Sequence, residues 1–177
     1  MDTSRLANIA EDLVAHRLQQ AHIFVAKPKF DLKGTDLLAF TQMDDGVKFC
    51  RIQSKGRTLA EGTSSIEIDE HYVSRGFLVF LYLDSTQYDD DLYCFFAHDI
   101  EAWNKGPSGK YTLSISKGNY REKLSPHRFN SLKVDLIRVL IAQAEVKGEF
   151  SYLSVLSGTA AVGDVVASGG FIGHLPQ

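Results

Sequence analysis

The segment Phe77-Leu78-Val79-Phe80-Leu81-Tyr82-Leu83 carries no charged residue and no break in its apolar character. A membrane helix needs roughly 20 such residues, so this run is far too short to be one. A strand with one wet face would alternate, and this one does not. The run therefore predicts a strand covered on both faces. Leu92–Ala97 reads as its neighbour, with Gln87-Tyr88-Asp89-Asp90-Asp91 as the connecting loop. The chain is 177 residues long, 44% hydrophobic and 23% charged, which suffices for one core without disulfide or metal staples.

Around that strand the pattern sets out an ordered series. Residues 4–22 predict a helix, with Leu6, Ile9, Ala10, Leu13 and Val14 at helical spacing. Strands at Asp36–Gln42 and Val47–Lys55 flank Asp44-Asp45-Gly46, a hairpin signal. A short strand at Ser65–Ile68, a short helix from near Asp99 through Trp103, and an alternating strand at Tyr111–Ser116 follow. Residues 130–146 predict a second long helix, capped by Asn130 or Ser131, with Leu132, Leu136, Val139, Leu140 and Ala144 as its apolar spacing. The fold class expected is α/β or α+β: a mixed central sheet flanked by helices in a single domain, residues 1–153. Residues 154–177, rich in Gly, Ala and Ser, read as a tail or assembly arm.

Composition narrows the setting. Cys50 and Cys94 are isolated within apolar runs and read as reduced core thiols of a cytoplasmic protein. Glu11 and Asp12 interrupt the apolar stretch near the N-terminus, so it does not read as a secretory signal. Net charge is −3, yet residues 105–138 hold 8 Lys/Arg against 2 Asp/Glu, while residues 1–104 hold 10 against 17. Overall acidity argues against indiscriminate nucleic-acid binding. The basic segment, which includes Lys117, Arg121, Lys123 and Arg128, is either a local phosphate-binding patch or a solvated face.

The first hairpin carries the chemistry. With Asp45-Gly46 as its turn, Asp36 faces Lys55 and Leu38 faces Gln53, so Gln53 lies diagonally from Asp36 on the same side of the sheet. Asp36 can ligate a hard divalent cation, Gln53 adds a neutral oxygen, and the backbone carbonyl of Ser54 can supply another. Lys55 can hold a water beside the cation or stabilise charge on an anionic substrate. Glu11, at the border of the first helix's apolar stripe, is within reach of the same place. The plainer reading of Asp36 and Lys55 is a cross-strand ion pair. Lys27, Lys29, Lys33 and Arg57 stand at the ends of these strands and either grip phosphates or guard the sheet edge.

Glu11 on a leading helix, then Gly34-Thr35-Asp36-Leu37-Leu38-Ala39, then Ile52-Gln53-Ser54-Lys55 resemble the PD-(D/E)XK nuclease superfamily. The match is to the branch with Gln in the third motif, shared by some homing and restriction-type endonucleases and several uncharacterised bacterial proteins. It covers about residues 5–97. The resemblance implies a restriction-endonuclease-like core and Mg²⁺-dependent hydrolysis of DNA phosphodiesters, with Mn²⁺ able to substitute. Carried over, Asp36 is the central metal ligand, Gln53 the second, Glu11 an outer one, and Lys55 positions the attacking water. Gln53 removes one negative charge, which favours one firmly held cation over two. A chain this small cuts both strands only as a homodimer or higher homo-oligomer. The alternative is a catalytically inactive nuclease-fold module for DNA binding or protein assembly.

Other motifs carry less. His98-Asp99-Ile100-Glu101 does not set its groups on one helical face, and His16, His22, His71, His127 and His174 show no partner pattern. Tyr82, Tyr93, Phe95, Phe96 and Trp103 read as core.

Overall fold

A computed structural model describes residues 3–29, 34–43, 46–59, 62–84, 91–145, 153–156 and 159–162. In chain order the elements are α1 (Thr3–Gln20), β1 (Phe24–Ala26), β2 (Leu37–Met43), β3 (Gly46–Thr58), β4 (Thr63–Asp69), β5 (Phe77–Asp84), β6 (Asp91–Phe96), α2 (Ala97–Glu101), β7 (Asn104–Lys105), β8 (Lys110–Ser116), α3 (Tyr120–Leu124), α4 (Ser131–Ala142), β9 (Leu153–Leu156) and β10 (Thr159–Val162). The central sheet runs β1-β2-β3-β5-β6. Its β3–β5 pair is parallel and its other pairs are antiparallel, so the sheet is mixed, as the sequence predicts. A second, antiparallel sheet runs β4-β8-β7.

The apolar run is β5, and both of its faces are covered. Leu78 and Phe80 join Val14 and Leu18 of α1 and Val134, Ile137 and Ile141 of α4 in one core. Phe77, Val79, Leu81 and Leu83 point the other way, onto Ile66 and Ile68 of β4, Ile115 of β8, Ile100 of α2 and Leu124 of α3. Two cores share one sheet, which is what the absence of alternation in the run requires. Leu6, Ala10, Val14 and Leu18 form the buried stripe of α1, at the 3–4 spacing of one helical face. Gly56 lets that helix close on β3: a Cβ there would lie 2.6 Å from the Leu6 carbonyl oxygen.

α4 departs from the sequence reading. Its cap is Asn130, whose side chain accepts from the Lys133 N–H at 3.0 Å. The stripe it buries is Val134, Ile137 and Ile141, whereas Leu132, Leu136 and Val139 are 64%, 43% and 52% exposed. The helix is apolar on most of its circumference, so spacing alone offers two stripes and packing selects one. It also ends at Ala142 rather than 146, and the short helix after β6 ends at Glu101, before Trp103. Cys50 and Cys94 are buried and unbridged. The expected tail boundary falls inside β9, which pairs with β10 through Leu153↔Val162. Other residues of the tail, like Lys33 and the Asp44-Asp45 turn, lie outside the described residues.

Candidate active site

The hairpin of β2 and β3 places the acidic and amide groups, in a register that corrects the sequence reading. Met43 pairs with Gly46 and Leu37 with Ile52, so Gly46 opens a strand instead of sitting in the turn. Leu38 faces Arg51, and Asp36, just before the first pair of β2, stands level with Gln53 rather than Lys55. Lys55 takes the diagonal position. A slip of two residues preserves the face, which is why Asp36, Gln53 and Lys55 remain on one side of the sheet.

Asp36 is locked onto β3 from two directions. Its N–H donates to the Ile52 carbonyl at 2.9 Å, and its Oδ2 accepts from the Ser54 N–H at 2.7 Å. Ser54 thus enters through its backbone N–H. Gln53 is 8% exposed, and its Oε1 is buried with no hydrogen-bond partner among the described residues. An amide oxygen left so costs about 1–3 kcal/mol unless something fills its coordination. The Thr35 hydroxyl and the Ser54 hydroxyl share that condition. Thr35 stands in the motif between Gly34 and Asp36 with no role assigned to it from the sequence, and it is buried. Gly34 holds φ at +66°, and a Cβ there would lie 2.6 Å from the Tyr72 ring and 3.0 Å from Gln53 Nε2. Tyr72 is a second residue the sequence does not flag: its carbonyl accepts from Arg51 at 2.8 Å, which ties the turn after β4 to the hairpin.

Glu11 projects from α1 and forms an ion pair with Lys27, one of the four cations expected either to grip phosphate or to guard the sheet edge. The pair raises the Lys27 pKa above its ordinary value, chiefly through the hydrogen bond to Glu11, and Glu11, Asp12 and Asp36 add electrostatically. Glu11, Lys27 and Asp36 therefore share one local field. Among the described residues no group of three His, Cys, Asp or Glu forms a metal-binding cluster. A cation at Asp36 would rest on one carboxylate, the Gln53 oxygen and water. Hard oxygen donors of this kind suit Mg²⁺ or Mn²⁺. The buried, unpartnered Gln53 oxygen is the observation that fits such an ion.

The other basic residues divide. Arg57 Nε donates to the Ser65 carbonyl at 3.2 Å and Lys123 Nζ to the Ser114 carbonyl at 2.9 Å. Ser65 and Ser114 are register partners, so one rung of the β4–β8 ladder carries both cations. Lys117 follows β8 directly, and Arg121 on α3 lies against Tyr120, its guanidinium 5.7 Å from the ring centre. Lys29 is exposed, and Arg128 lies away from this ridge, beside α4. The His127 ring lies against Phe95, the ring centres 4.5 Å apart and the planes tilted by 32°, with Nδ1 3.6 Å from Asp99 Oδ1. Asp99 also accepts from the Phe96 N–H at 2.8 Å. Burial alone would push the Asp99 carboxyl up, but His127 and that N–H outweigh it and hold it below its ordinary value. Its ligands are thus internal.

No family model matches the chain, and no curated protein matches it. Among solved structures, the bacterial homing endonuclease I-Ssp6803I is similar in fold: TM-score 0.55 at 13% identity, over 81% of this chain and 98% of that one. The chain has a nuclease-like fold, a mixed five-stranded sheet flanked by helices. No described helix is long and apolar enough to cross a membrane.

Proposed function

We propose that the protein is a Mg²⁺-dependent DNA endonuclease of the PD-(D/E)XK superfamily, with its centre at Asp36, Gln53 and Lys55. The observation that carries this is the Gln53 oxygen, buried without a partner at the level of a carboxylate fixed by two hydrogen bonds. A bound divalent cation would supply Lewis-acid stabilisation of charge developing on the scissile phosphate. Asp36 and Gln53 hold and orient, and the ladder keeps them in place without reorganisation. Lys55, on the diagonal, orients the attacking water and offsets negative charge. The ridge of Arg57, Lys117, Arg121 and Lys123 supplies backbone phosphate contacts, with Lys29 at the strand end. Two copies present two such centres to the two strands. Unbridged buried thiols fit a cytoplasmic setting.

The test is plasmid and branched-DNA cleavage with Mg²⁺, Mn²⁺ or EDTA. Asp36→Asn and Lys55→Ala should each lower cleavage by about 100-fold or more while the melting temperature stays close to wild type. Full cleavage in either purified variant would sink the assignment. One observation favours the second reading, a nuclease-fold module without turnover: Lys27 already occupies Glu11. That reading predicts no melting shift with Mg²⁺. The first predicts a shift that Asp36→Asn erases.

A further inference from the structure

Leu37, Ala39, Cys50 and Ile52 turn toward α1 and α4, so Leu38, Phe40, Phe49 and Arg51 turn the other way, as does Phe24 across from Phe40. Among the described residues, neither core includes Phe24, Leu38, Phe40 or Phe49, and the core on that side draws nothing from β1 or β2. Phe24, Phe40 and Phe49 are register partners across three strands and form one rung. The Phe24 and Phe40 rings stack with centres 5.7 Å apart and planes 27° from parallel, and Phe24 is 59% exposed. An open phenyl on an edge strand invites aggregation unless something covers it. The next rung holds Leu38 and Arg51, and the one after it Gln53, level with Asp36. From Phe49 to Gln53 along β3 is about 13 Å, the length of about four stacked nucleotides. Arg51 keeps its charge, since its guanidinium donates to the Tyr72 carbonyl at 2.8 Å and the Ser74 hydroxyl at 2.9 Å, both neutral. Lys29, exposed, follows closely on the end of β1.

We propose that this aromatic rung stacks the unpaired bases of a DNA strand, which makes the substrate DNA with a single-stranded stretch beside the scissile phosphate. The place of that phosphate rests on the nuclease reading; the stacking does not. The occupant must offer flat apolar faces at one end and negative charge along the path to Asp36, and an unpaired strand has both. Aromatic side chains on a sheet suit it because every base has a π-face, so the contact tolerates any sequence. Paired bases are stacked on one another and closed to it. A second copy laid face to face would cover the phenyls but brings no row of anions to Arg51 and Lys29.

Fluorescence anisotropy of a labelled oligothymidylate of about 16 nucleotides, with the full chain in EDTA at fixed salt, tests this without cleavage. The oligothymidylate should bind more tightly than an abasic strand of the same length, and more tightly than the corresponding duplex. Phe24→Leu, which keeps an apolar side chain but no ring, should weaken the oligothymidylate about fivefold or more and leave the abasic strand unchanged. Phe24→Trp should bind at least as tightly as wild type. Phe24 is on the surface, so both variants should melt close to wild type. Cleavage assays on the same proteins separate the two readings. Base-dependent binding that Phe24→Leu removes, in a wild type that cuts nothing, would fault the nuclease reading and leave the stacking site standing. Equal binding of abasic and base-bearing strands, or Phe24→Leu binding like wild type, would overturn the stacking site whatever the cleavage. So would a wild-type dimer that Phe24→Leu turns into a monomer with DNA binding unchanged, since the face would then belong to a second copy.

Discussion

Gly34 shows how one residue can hold a site together. Its φ of +66° lies where a side chain costs about 1–2 kcal/mol, and the Tyr72 ring occupies the place a methyl would take. The turn thereby brings Gln53 and Asp36 level. Gly34→Ala should destabilise the protein by roughly 2 kcal/mol in urea unfolding, the strain of the backbone plus displacement of the ring. It should also weaken the Mg²⁺-dependent melting shift, because Gln53 Nε2 lies 3.0 Å from the added atom. A Gly34→Ala protein as stable as wild type, with an unchanged Mg²⁺ shift, would show that the turn does not position the amide. Gly76, with open space where its Cβ would go, is the comparison.

At the scale of elements, what the sequence discloses depends on whether a pattern has one physical solution. β5 has one, because seven uncharged apolar residues in a strand must be covered twice, and they are. The hairpin has two, because Asp44-Asp45-Gly46 can turn at either pair of residues. The structure pairs Met43 with Gly46 and so moves Asp36 from Lys55 to Gln53. The three residues stay on one face of the sheet since the slip is even, but which of them pair was not legible. α4 likewise offers two stripes, and its burial is settled by contacts distant in sequence, such as Lys48 Nζ donating to the Ala142 carbonyl at 2.6 Å. Ile137→Ala should therefore cost about 2–4 kcal/mol, while Leu136→Ala should stay within about 0.5 kcal/mol. Chemical denaturation of the two variants side by side checks this. Equal losses would mean that Leu136 is covered in solution.

For the molecule as a whole, the two cores meet at a sheet that also carries both thiols. Cys50 on β3 and Cys94 on β6 belong to the helical-side core, and burial pushes the Cys50 thiol from its ordinary 9.0 up to about 12 and Cys94 in the same direction. The folded state therefore keeps both neutral where the unfolded chain would ionise them. Because the folded values are raised, the resulting stabilisation is complete below pH 9 and is lost as pH climbs from 9.0 toward about 12. At pH 10 each thiol should remove about 1.4 kcal/mol from the unfolding free energy, and the pair about 2–3 kcal/mol. Urea unfolding at pH 8 and pH 10 measures this, with the Cys50→Ala, Cys94→Ala double variant as the reference. The double variant will be less stable at both pH values, since each replacement leaves core volume unfilled. Its loss between them should be smaller than that of wild type by the stated amount. Identical losses would place the thiols in contact with water, and would break the claim that the helical-side core is dry where β3 and β6 cross beneath α1 and α4.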